Sequence, residues 1–175
     1  TPGNESVLPL RLNPLSLLPG VSALEHIDAI EACFHASMPL SGPLASILRE
    51  ALEELYHWAA EQNRAPTMAD LLSCMEEVLR RKGYSASTEA DIRGAIHSRI
   101  GALILGTRGR VLNSTSSVPD LNRLLRRPAV IEMDRLAREN ACLLTLFLLV
   151  GIREALRVLP RGKSALRLVI VIDEA

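Results

Sequence analysis

The chain has 175 residues, with 20 Lys and Arg against 20 Asp and Glu. This zero formal net charge excludes a global basic field of the kind that advertises nucleic-acid binding, though not a local basic strip. Hydrophobic residues make up 48% and aromatic residues 3%, which suits one domain with a packed, largely aliphatic core.

Cys33, Cys74 and Cys142 are odd in number, far apart and set in apolar helical contexts. They read as small core residues of a reducing compartment, here expected to be the cytoplasm, and not as a disulfide frame. His26, His35, His57 and His97 are equally scattered, and no Cys/His pair has zinc spacing. No signal peptide is visible, and the long apolar run Ala141 to Ile152 is too short to span a bilayer. The chain opens on Thr1-Pro2-Gly3 and closes on Asp173-Glu174-Ala175, so both ends read as cuts through a larger protein.

From the start, Thr1 to Gly20 is rich in Pro, Leu and Asn and reads as a covering loop, with Val7 to Leu12 a short edge strand or extended segment. Asn13-Pro14 and Pro19-Gly20 are turn signals. Ser22 and Glu25 have capping-box spacing, which predicts a helix to about Ser37 that stops before Pro39. Pro43 suits the first turn of a second helix, whose apolar stripe is Leu44, Ile47, Leu48, Ala51, Leu52 and Leu55. Thr67 and Asp70 predict the start of a third, with Gly83 as its left-handed stop. A fourth is expected from Ser87 or Thr88 to Gly106, carrying Ile92, Ala95, Ile96, Ile100 and Leu103.

Gly106 to Pro119 reads as the longest loop. Together with the stretch to Arg127 it holds five arginines and one aspartate, a local charge of +4 that is compatible with phosphate or DNA contact. Asp120 to Arg126 suggests a helical turn, Pro128 to Met133 a strand, Leu136 to about Val158 an apolar helix, and Leu168 to Ile172 a strand buried on both faces. Strand, helix, strand is a βαβ unit, which places Asp134, Asp173 and Glu174 at one sheet edge, where ligands of α/β proteins bind. An apolar strand ending in Asp-Glu is the Walker B pattern of P-loop NTPases. The first acid, Asp173, would serve Mg²⁺, and the second, Glu174, would orient or deprotonate the water that attacks the γ-phosphate of ATP. Gly162-Lys163-Ser164 is a decoy for the phosphate loop. Arg157 stands where that loop needs glycine, and the triplet follows a helix and opens a strand instead of the reverse.

Six segments in order carry a resemblance. They are Arg11 to Leu15, Glu25 to Asp28, Arg64 to Thr67 with Leu71, Leu105 to Gly109, Arg127 to Leu136 and Leu168 to Ala175. As a set they resemble the HerA/FtsK-like ATPases, near the HerA-type helicase or DNA-translocase branch. The last segment alone is specific. The resemblance implies a predominantly helical α/β chain. Residues 1–21 would be an extended piece of a RecA-like ATPase core, 22–106 a helical insertion, 107–127 a basic loop and short helix, and 128–175 a βαβ piece ending at Walker B. It further implies ATP and Mg²⁺ as cofactors of the parent protein, with Asp173 the Mg²⁺-associated acid and Glu174 the catalytic glutamate. Homo-oligomeric rings, commonly hexamers, would move DNA, with a nuclease partner left open and no membrane contact. The Walker A strand and loop are missing here, so the chain by itself is expected neither to bind ATP well nor to hydrolyse it. Two other readings stay open: a DEAD/DEAH-type helicase fragment and a non-catalytic helical interaction module.

Overall fold

The computed structural model describes residues 10–118, 120–133, 136–158 and 168–173, with only the backbone of Asn122. Where apolar residues recur at helical spacing, helices form. α1 (Ala23–Ser37) buries His26, Ile27, Ile30, Cys33 and Phe34. The expected capping box at its start is not made. Ser22 has no side-chain cap bond, and the Glu25 carboxylate instead accepts from Arg157 at 3.3 Å. α2 (Pro43–Gln62) begins on Pro43 after Gly42, whose φ of +58° a side chain would strain. It buries the predicted stripe together with Tyr56 and Ala59.

α3 (Met68–Arg81) has the full reciprocal cap. Thr67 Oγ1 accepts from the Asp70 amide, and Asp70 accepts from the Thr67 amide at 2.8 Å. Gly83, at φ +65°, ends it as expected. α4 (Ala86–Arg99) is capped by Ser85, whose hydroxyl accepts from the Thr88 amide. A 3₁₀ turn follows over Gly101–Ile104, then α5 (Gly106–Leu112), α6 (Leu121–Leu124) and α7 (Arg138–Val158).

α2 packs on α3, α3 on α4, and α1 lies against both α2 and α7. One continuous apolar cluster runs through them, from Leu48, Leu52, Leu71 and Met75 to Phe34 and Phe147. The two phenylalanine rings meet edge to face at 5.4 Å, fixing α7 on α1. The segment from Leu10 is more than a cover. Leu12 and Leu15 are buried in the core. Arg11 forms an isolated antiparallel bridge with Val118, its amide donating at 2.8 Å and its carbonyl accepting at 2.7 Å.

The expected βαβ unit is overturned. Among the described residues there is no strand and no sheet beyond that isolated bridge, and the fold is all-helical. Pro128 to Met133 and Leu168 to Asp173 are irregular, with Val130 90% and Val171 84% exposed. A β-branched run becomes a strand only if a neighbouring strand supplies its ladder partners, and none does so among the described residues. α7, expected to cross over a sheet, packs instead on α1. The expected loop from Gly106 is also corrected, because its first half is α5. Asp134, Glu174 and the Gly162-Lys163-Ser164 triplet lie outside the described residues.

Candidate functional site

α5 sits where it does because Gly109 has no side chain. A Cβ there would lie 2.1 Å from the Ile104 carbonyl oxygen, so only glycine lets this helix close against the 3₁₀ turn. At the far end of α5, Asn113 Oδ1 accepts from the Ala69 amide at 3.0 Å and ties the helix to the start of α3. The bridge to Val118 brings Arg11 alongside. The result is a cleft of about 340 Å³ lined by Arg11, Gly106, Gly109, Arg110, Asn113 and Ser114. Among the described residues no Asp or Glu lines it. Arg110 Nη2 donates to Thr107 Oγ1 at 3.4 Å, and the Ser114 hydroxyl is engaged by the Ser116 carbonyl at 2.8 Å.

Many basic residues of the helices are paired. Arg49 pairs with Asp28, Glu31 and Glu53, Arg64 with Asp70, Arg80 with Glu77, Arg81 and Lys82 with Glu50, and Arg93 with Glu89. By contrast Arg11, Arg108, Arg110, Arg123, Arg126 and Arg127 are all exposed. None of these six makes an ion pair with a described residue. A second depression of about 210 Å³ brings Arg99 and Arg108 near Glu139 and is therefore less purely cationic.

The residues expected to form an acidic edge are not brought together. Asp173 is exposed and irregular, and Glu174 and Asp134 lie outside the described residues. Among the described residues no group of three or more His, Cys, Asp or Glu side chains could hold a metal ion. A nucleotide-bound Mg²⁺ needs one or two carboxylates and the substrate's phosphates held beside them. A lone exposed Asp173 without a phosphate loop does not fit that requirement, and no hydrolytic step follows from this arrangement.

Residue chemistry also gathers at a buried pair that belongs to no motif. His26 Nδ1 lies 2.9 Å from both carboxylate oxygens of Glu154, and each residue is 2% exposed. Tyr56 meets the imidazole edge-on at 5.5 Å, and its hydroxyl donates to the Leu15 carbonyl at 2.9 Å. Burial, with Glu154 nearby, pushes the Tyr56 phenol well up. Neither cleft is lined by His26 or Glu154, so the pair joins helices and is out of reach of a substrate. The available signal was a polar residue in register with apolar ones: His26 with Ile30 and Cys33, Glu154 with Phe147.

Cys33 and Cys74 are each pushed up to about 11 by burial, while Cys142, expected in the core, is exposed. Among the described residues no helix is long and apolar enough to cross a membrane. Comparison of the chain with protein-family models, curated proteins and solved structures found no match.

Proposed function

We propose that this chain is a phosphate-contacting helical module that holds DNA for an ATP-driven motor of the HerA/FtsK-like kind. The observation that carries the DNA half is the set of exposed arginines, Arg11, Arg108, Arg110, Arg123, Arg126 and Arg127, that make no ion pair with a described residue, whereas Arg49, Arg64, Arg80, Arg81 and Arg93 each do. Exposed guanidinium groups bind phosphate oxygens with little desolvation cost and release counterions from DNA on doing so. Such contacts position a nucleic acid without reading its sequence.

The motor half rests on the six ordered sequence segments alone. On that resemblance the parent protein would be an ATP-driven, ring-forming DNA motor. The helical interaction module is the competing reading, and the arginines separate the two. Fluorescence anisotropy with a labelled DNA strand is the test. Replacing Arg123, Arg126 and Arg127 together by Gln should weaken binding at least about tenfold at low salt, since three phosphate contacts are removed. Affinity unchanged by the triple replacement would favour the protein-interaction module.

A further inference from the structure

We infer that the Arg11–Arg110 cleft is a site for one phosphomonoester, the 5′-phosphate carried by a mononucleotide or by the end of a DNA strand. The inference rests on the DNA-binding proposal for its biological source, but its chemistry stands on the cleft itself. At about 340 Å³ the space is a shallow depression open to solvent, with room for a single phosphate group and not for a duplex. Among the described residues its lining holds two arginines and no carboxylate residue. A phosphomonoester carries close to two negative charges near neutral pH, against one for a backbone diester, so two arginines match the end of a strand better than its interior.

The cleft is held in shape from three directions. Arg11 is fixed by both backbone bonds of its bridge to Val118, so its side chain can change without loosening the strap. Arg110 rides on α5, whose position is set by the Gly109–Ile104 contact. The Asn113 carbonyl oxygen is occupied by the Ala69 amide, which leaves the Nδ2 donors as the polar capacity this side chain can offer an anion. Two forks and an amide donor are a chemically consistent phosphate set, and the Arg11 fork is engaged by no carboxylate of the described residues.

Two short single strands of the same sequence, one with a 5′-phosphate and one with a 5′-hydroxyl, are titrated against the chain by anisotropy. The phosphorylated strand should bind about tenfold tighter, a difference of about 1.4 kcal/mol. Arg11→Gln and Arg110→Gln should each erase that preference, with Arg11→Lys retaining part of it. The combined Arg123, Arg126 and Arg127 replacement should weaken both strands and leave their ratio unchanged. Equal affinity for the two strands, or a preference that survives both Gln variants, would overturn the inference.

AMP competition distinguishes the sources. Displacement of the phosphorylated strand by AMP but not by adenosine supports recognition of the monoester in any nucleotide. A retained preference that AMP does not disturb supports the strand end as the source. If no DNA binds at all, direct AMP titration decides the matter. AMP binding that Arg11→Gln removes upholds the cleft while the DNA proposal fails, and no AMP binding ends both.

Discussion

His26 and Glu154 are 2% exposed and meet at 2.9 Å, a buried polar bond between α1 and α7. One ring nitrogen, Nδ1, lies within hydrogen-bond distance of both carboxylate oxygens. His26 Nε2 is buried with no hydrogen-bond partner among the described residues, so within them the pair is satisfied on one side only. Removing either member leaves the other desolvated and unanswered.

Glu154→Leu should therefore lower unfolding free energy by about 3–5 kcal/mol, with His26→Leu comparable. Replacing both by leucine should cost much less than the two single losses combined, since no orphan remains. Urea denaturation of the four proteins measures the coupling. Strict additivity would show that the two residues do not depend on each other.

The cap of α3 gives a pH dependence with a defined sign. Burial raises the Asp70 carboxyl, but bonds from the Thr67 hydroxyl, Arg64 and the Thr67 amide outweigh it and hold the carboxyl below its ordinary 3.8. A carboxyl depressed on folding contributes stability that is present above its unfolded value and is lost as pH falls through the folded one. The melting temperature should drop in that acidic window, and Asp70→Asn should flatten this part of the profile. Thr67→Ala should cost about 1 kcal/mol at neutral pH. An Asp70→Asn profile that still follows the parent's would assign the acid loss to other carboxylates.

Gly109 is the structural support of the arginine cleft. Gly109→Ala places a methyl group against the backbone oxygen of Ile104, which cannot swing aside as a side-chain tip would. The expected cost is at least about 1–3 kcal/mol, the range for overpacking a close contact. Hydrogen exchange should locate the loss at the 3₁₀ turn and α5, with α2 and α3 protected as before. Uniform loss of protection across all helices would contradict this local role.

The helices α1 to α4 were legible because their evidence is local. Stripes such as Leu44, Ile47, Leu48 and Ala51 or Met68, Leu71 and Met75 need only 3.6-residue spacing, and Thr67–Asp70 shows its cap within one turn. α5 was not, because Gly106 and Gly109 read as loop glycines, whereas Gly109 serves a contact with Ile104 inside a helix. The strands expected at Pro128 to Met133 and Leu168 to Ile172 failed for a non-local reason. β-branched composition makes a segment able to pair, but pairing depends on a neighbour that the segment itself does not specify.

The same distance rule governs the sites. The basic character of Gly106 to Arg127 was visible in composition, yet its meeting with Arg11 depends on the bridge between Arg11 and Val118. The His26–Glu154 bond joins residues 128 positions apart, and each alone looks like an ordinary polar residue on a helix. Asp173, the acid singled out by motif, is exposed in an irregular segment and meets no second acid among the described residues.

Phosphate binding by the exposed arginines is tested most directly by the salt dependence of DNA affinity. Anisotropy titrations of the chain against one labelled strand at several salt concentrations give the slope of log affinity on log salt. Engagement of the six arginines on a single strand predicts a slope of about −4, at about −0.7 for each phosphate neutralised, and a shallower slope after the Arg123, Arg126 and Arg127 replacement. A slope near zero, or one that the replacement leaves unchanged, would contradict a phosphate-contacting role for these arginines.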